Sequence, residues 1–157
     1  MFKKVTKYAA MALVAIAAIS CAKSPGQLLS GAWEGATADS GDRDVLSFTF
    51  SEPDSVVEIH IDYYSGGKKG GDLTARGRWS VMGDSLRISL DTANTHFNLA
   101  PEVEALYTGD SVYLLQAHKK LFINDLCAAP QVSPLTDLSD SAFTFSYDEH
   151  KVVMRRK

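Results

Sequence analysis

The chain has 157 residues, 45% of them hydrophobic and 22% charged, with 16 basic against 19 acidic side chains. That is one domain's length, enough to bury a real core. With the N-terminal segment set aside, and Lys3, Lys4 and Lys7 with it, 13 basic groups face 19 acidic ones. A domain of that sign repels phosphate backbones and anionic headgroups, which argues against nucleic acid as a partner.

The first element in chain order is an export segment, residues 1–20. Lys3, Lys4 and Lys7 make a positive start, and Ala9 to Ile19 carries no charge and no strongly polar group. About eleven apolar residues are too few to cross a bilayer core, which takes roughly twenty, so the segment is expected to be cleaved. Ala18-Ile19-Ser20-Cys21 resembles a lipobox, where signal peptidase II cuts before a diacylated cysteine; the departure is Ala18, where that motif prefers Leu. The resemblance implies lipidation of Cys21 and a membrane as the partner there. An ordinary secretory signal with an unmodified Cys21 is the competing reading. If Cys21 carries lipid, Cys127 has no partner within the chain, a disulfide framework is excluded, and Cys127 reads as a small buried hydrophobe.

Residues 21–29 read as a tether, polar and interrupted by Pro25 and Gly26, leaving 30–157 as the domain. From there the hydrophobic period is two. Leu46, Phe48 and Phe50 alternate with polar residues, as do Val57, Ile59, Ile61 and Tyr63, then Leu73, Ala75, Gly77, Trp79 and Val81, then Leu86, Ile88 and Leu90. Alternation over such lengths predicts strands with one wet and one dry face. Met82-Gly83-Asp84 predicts a tight hairpin, and Ser65 to Gly71 a longer, mobile, charged connection. In Ser111 to Ala128 the spacing changes: Leu114, His118, Leu121, Phe122, Asp125 and Leu126 fall three or four apart, which predicts a helix of about four turns. Its stripe is expected on the sheet or over an open barrel end. Residues 129–141 follow as a Pro- and Ser-rich loop. Phe143, Phe145 and Tyr147 then alternate, Asp148-Glu149-His150 turns, and Lys151 to Arg156 return as the last strand.

No metal, nucleophile or phosphate-loop motif is found, so no catalytic residue, metal ligand or cofactor is expected, and the chain does not read as an enzyme. Gly66 to Gly71 is glycine-rich but joins strands and cannot offer helix N-terminal amides to a phosphate. Glu58, His60 and Asp62 share one strand face, a row that could bind a cation or run acid–base chemistry. The opposite face is the dry one, however, so the row reads as solvated. His96, His118 and His150 belong to different elements, and nothing argues that they converge.

Leu29-Ser30-Gly31-Ala32-Trp33-Glu34-Gly35 resembles the Gly-x-Trp opening strand of lipocalin-like (calycin) barrels. With Gly77 to Leu86, Leu135 to Thr144 and the basic close Val152 to Lys157, the chain is similar to lipocalin-like domain lipoproteins of Bacteroidota over most of residues 28–157. The resemblance implies a mainly β, antiparallel lipocalin-like barrel, here with one inserted helix before the final hairpin. A standard lipocalin carries its helix after the eighth strand, which leaves open how this barrel closes. The resemblance also implies that Trp33 plugs one end beneath Arg155 or Arg156, against the plainer reading of Trp33 as one more large core residue.

Small barrels of this kind fill their interior or hold one small ligand. The expected interior comprises Trp33, Phe48, Phe50, Ile59, Ile61, Tyr63, Trp79, Ile88, Phe143 and Phe145. Two functions follow as expectations: a barrel that binds a small apolar ligand, or a solid-cored scaffold that docks an envelope protein. Resemblance to lipoproteins of two-membrane bacteria implies the outer membrane. Ala22-Lys23-Ser24-Pro25 lacks the acidic residues that mark surface export in Bacteroidota, which points to the periplasmic face.

Overall fold

A computed structural model describes residues 22–37 and 41–157. The expected signal segment and Cys21 lie outside the described residues. Among those described, the order is α1 (Pro25–Leu29), β1 (Gly31–Ala36), β2 (Asp42–Ser51), β3 (Val56–Ser65), β4 (Lys68–Met82), β5 (Ser85–Leu99), α2 (Pro101–Glu104), α3 (Asp110–Ala128), β6 (Gln131–Pro134), β7 (Ala142–Tyr147) and β8 (His150–Arg156).

The strands form one antiparallel sheet in the order β6-β5-β4-β3-β2-β1-β8-β7. Strands adjacent in sequence are adjacent in space, and β8 comes round to β1, so the sheet wraps into an up-and-down barrel. Alternation is what drives the wrap. Leu46, Phe48, Phe50, Val57, Ile59, Ile61, Leu73, Ala75, Leu86, Ile88, Phe143, Phe145, Val152 and Met154 all turn inward and join one core.

The seam lies between β6 and β7. Thr136 and Thr144 exchange backbone hydrogen bonds of 3.0 and 2.8 Å across it, and the Ser133 hydroxyl accepts from the Ser146 N–H at 2.8 Å. β6 pairs only with Ser85–Ile88 of the fifteen-residue β5. Beyond Ile88 the helix α3 runs back along β5, in the place a strand would take. Phe122 stacks 5.2 Å from Phe97, and the Cys127 thiol lies 3.6 Å from the Thr95 hydroxyl. The barrel is therefore nearly closed, with a helix shielding the strand edge that β6 leaves bare.

Several expectations need correction. The connection over 65–71 is a two-residue turn: Gly66 and Gly67 take φ of 56° and 79°, and pairing begins with Ser65 opposite Lys68. Two consecutive glycines allow the left-handed conformation that a two-residue hairpin needs at both central positions. Lys69, expected in solvent, bonds Asp62 at 2.6 Å and Asp72 at 3.2 Å. Within the 129–141 loop, β6 forms because the edge of β5 supplies partners to four residues too few to show a period. The tether stretch contains α1, started by a capping box between Ser24 and Gln27 and ending at the fully buried Leu29.

The inserted helix is present and slightly longer than expected, but its inner stripe is offset by one residue. Leu115 is buried and Lys119, Ile123, Leu126 and Cys127 are half-buried, while Leu114, His118 and Leu121 face outward. The wet side thus carries Tyr113, Leu114 and Leu121, and composition alone could not say which of two apolar stripes meets the sheet.

One end of the barrel is solid. Trp33 is fully buried, its ring edge-on to Phe143 at 4.9 Å, and its indole N–H donates to the Leu29 carbonyl at 2.6 Å. Phe50 joins Trp79 at 5.2 Å and Phe143 at 6.3 Å. Of the two arginines expected near Trp33, Arg156 lies over the ring, 4.2 Å from its centroid. Its guanidinium also donates to the carbonyls of Leu28, Ser30 and Asp140 at 2.6, 2.8 and 2.6 Å. The basic strand end thus fastens α1 over the plug. At Gly31, with φ of 125°, a β-carbon would run into the same guanidinium.

Candidate ligand-binding cavity

At the opposite end the interior opens into a cavity of about 710 Å³, within the range of small-molecule sites. Its apolar wall is built by the inward parity of five strands: Phe48, Ile59 and Ile61, Leu73, Leu86 and Ile88, Phe97, and Phe145. Phe122 and Leu126 of α3 close the side where the seam has no strand. Along this seam the lining is completed by Gln131, Val132 and Ser133 of β6 and Ser146 and Tyr147 of β7.

The polar part of the wall is compact. Asp44 continues the inward parity of Leu46, Phe48 and Phe50, and the pairing of β2 with β3 sets it directly opposite Tyr63. Tyr147, next along the inward series of Phe143 and Phe145, sets its phenol in the same part of the wall as Asp44 and Tyr63. Asp148 follows at the β7–β8 turn and also lines the space. Burial pushes the Asp44 carboxyl above its ordinary value; the Tyr147 phenol and the His150 charge oppose this, and the charges of Asp148 and Asp42 reinforce it. Burial likewise raises Tyr63, and it raises Tyr147 strongly, with the Tyr63 and Asp44 neighbours adding to the rise. Both phenols therefore keep their protons and act as donors at neutral pH.

Of the ten interior residues expected from sequence, Phe48, Ile59, Ile61, Tyr63, Ile88 and Phe145 line this cavity. Trp33, Phe50, Trp79 and Phe143 pack together in the solid end instead. The sequence reading missed Asp44, although extending the Leu46–Phe50 parity two residues back would have reached it. It also missed Phe97, because four residues bulge from β5 between Leu90 and Thr95 and break the alternation. Phe122 and Leu126 belonged to a helical stripe expected on the sheet or over an open barrel end, and they line the cavity.

The Glu58–His60–Asp62 row lies on the outer face. His60 Nε2 is 3.1 Å from Asp62, and Asp62 is held by Lys69. Among the described residues no group of three or more His, Cys, Asp or Glu is arranged to hold a metal ion.

Eight antiparallel strands in up-and-down order, plugged by a tryptophan at one end and hollow at the other, place the chain in the class of lipocalin-like barrels. No protein-family model matches the chain, and no curated protein matches it. Among solved structures, a lipocalin-like protein from Bacteroides uniformis matches with 15% identity and a TM-score of 0.43, covering 83% of this chain and 99% of its own. An uncharacterised protein from Bacteroides eggerthii matches with 14% identity and a TM-score of 0.42, covering 82% of this chain and 99% of its own.

Proposed function

We propose that this protein is a non-enzymatic binding module that holds one small, largely apolar ligand in its barrel. The supporting observation is the cavity of about 710 Å³, walled largely by aliphatic and aromatic side chains and bordered by both strands of the β6–β7 seam. An apolar guest would gain about 25 cal/mol for each Å² of its surface withdrawn from water. The solid-cored scaffold reading draws on the exposed Tyr113, Leu114 and Leu121 of α3. It requires a filled interior, and this interior is filled only at the Trp33 end.

The neutral dye N-phenyl-1-naphthylamine tests the proposal. Saturable fluorescence enhancement with one dye per chain is expected, abolished by Ile59→Trp or Phe48→Trp, whose indoles would occupy the space. No saturable binding by the wild type would leave the scaffold reading ahead.

The same proposal places the module on a lipid anchor at Cys21, in the outer membrane and facing the periplasm; the lipobox-like run Ala18 to Cys21 supports it. Cys21→Ala is expected to move the protein from the membrane fraction to the soluble periplasmic fraction. Continued membrane retention would count against lipidation.

A further inference from the structure

Building on the ligand-binding reading, we propose that the cavity selects apolar molecules with a cationic, hydrogen-bond-donating head, such as an alkyl or aryl ammonium, and rejects those with a carboxylate head. The placement of charge carries the inference. Asp44 and Asp148 are the charged side chains lining the cavity, and no Lys, Arg or His is among the lining residues. A fatty-acid carboxylate entering this space would meet two like charges on the wall and no cationic side chain lining it, the His150 imidazole acting on Asp44 from outside the lining. The penalty is largest near the apolar wall, where water screens least.

An ammonium meets the opposite surroundings. Asp44 lies two positions along β2 from Leu46 on the inward face and opposite Tyr63, so its carboxylate stands where the apolar wall ends. No ion pair links Asp44 to another described residue. The Tyr147 phenol is the side-chain donor beside it, while an ionised carboxylate offers about four acceptor sites, so capacity remains for a ligand's N–H groups. Tyr63 and Tyr147 add aromatic faces beside the carboxylate, a setting that favours a cation further. The apolar body would then run inward along Ile61, Phe145 and Phe48 towards the solid end, and the head would stay near the Asp148 turn. The site thus has direction as well as volume.

Competition against bound N-phenyl-1-naphthylamine tests this on the full chain, with decylamine, decanol and decanoate as matched ten-carbon probes. Decylamine is expected to displace the dye at roughly tenfold lower concentration than decanoate or better, with decanol between them. Asp44→Asn is expected to shrink the amine-to-carboxylate ratio by about tenfold, a factor one lost charge contact can supply. Decanoate competing as well as decylamine would overturn the inference on the wild type alone, whatever the variant does. An unchanged ratio in a folded Asp44→Asn would overturn the part given to Asp44. Dye that fails to bind the wild type at all would instead sink the ligand-binding reading beneath both.

Discussion

Replacing Arg156 with Ala removes the fastening of the solid end. The guanidinium makes three hydrogen bonds of 2.6 to 2.8 Å to carbonyls of Leu28, Ser30 and Asp140, and stands 4.2 Å over Trp33. The side chain is exposed, so water can reach those carbonyls once it is gone, and each bond is worth only about 0.5 kcal/mol net. The cation–π contact at such a site adds about 0.5–1 kcal/mol. Together the loss is about 2 kcal/mol, or roughly 4–8 °C in Tm for a domain of this size. Arg156→Lys keeps the charge but not the planar fork that reaches several carbonyls at once, and is expected to lose about half as much. Gly31→Ala destabilises separately, through its φ of 125° and a collision with the guanidinium. In the Arg156→Ala background the collision is gone, so the double variant should lose less than the sum of the two. Thermal and urea unfolding measure all four proteins. A Tm for Arg156→Ala within about 1 °C of wild type, or strictly additive losses, would refute the reasoning.

The Asp44 carboxyl is raised above its ordinary 3.8 by burial, so the folded chain binds its proton more tightly than the unfolded chain does. Stability then falls as pH rises from that ordinary value through the raised one, and is level above it. Asp44→Asn is expected to unfold at a higher temperature than wild type at pH 7, with the gain fading as pH drops from the raised value to 3.8 and absent below it; a pH-independent difference would count against it. Asp148 and Glu149 both turn at positive φ, 43° and 65°. Glu149→Gly should therefore stabilise by about 0.5–1 kcal/mol in urea unfolding, and a loss would show that the side chain has another role.

The two stabilising substitutions fall at the rim of the cavity. A carboxylate kept partly out of water and a hairpin turn closed without glycine both cost stability, and neither assists the packing of the core. Such costs gathered at one opening fit a site selected for binding. The Trp33 end shows the reverse: every large group there is packed, and the cation above it makes several bonds at once.

Parity along each strand was legible from the residues alone. An extended chain turns successive side chains to opposite faces, so Leu46–Phe50, Val57–Tyr63 and Phe143–Tyr147 declared their inner sides without reference to any other segment. Gly83 likewise marked a tight turn, because glycine takes left-handed backbone at little cost, whereas Gly66 and Gly67 marked a connection whose two-residue length was set by the pairing of Ser65 with Lys68. Parity says nothing about depth, however. Whether an inward ring is enclosed by other side chains, as Phe50 and Phe143 are, or also borders open space, as Phe48 and Phe145 do, depends on how far the strands slide past one another before they close. That register placed Asp44 beside Tyr63 and Tyr147, brought Arg156 rather than Arg155 onto Trp33, and let α3 stand in for the missing half of β6. The same Arg156 also reaches the Leu28 carbonyl, 128 positions away, and no local rule of backbone or side-chain geometry reaches across that distance.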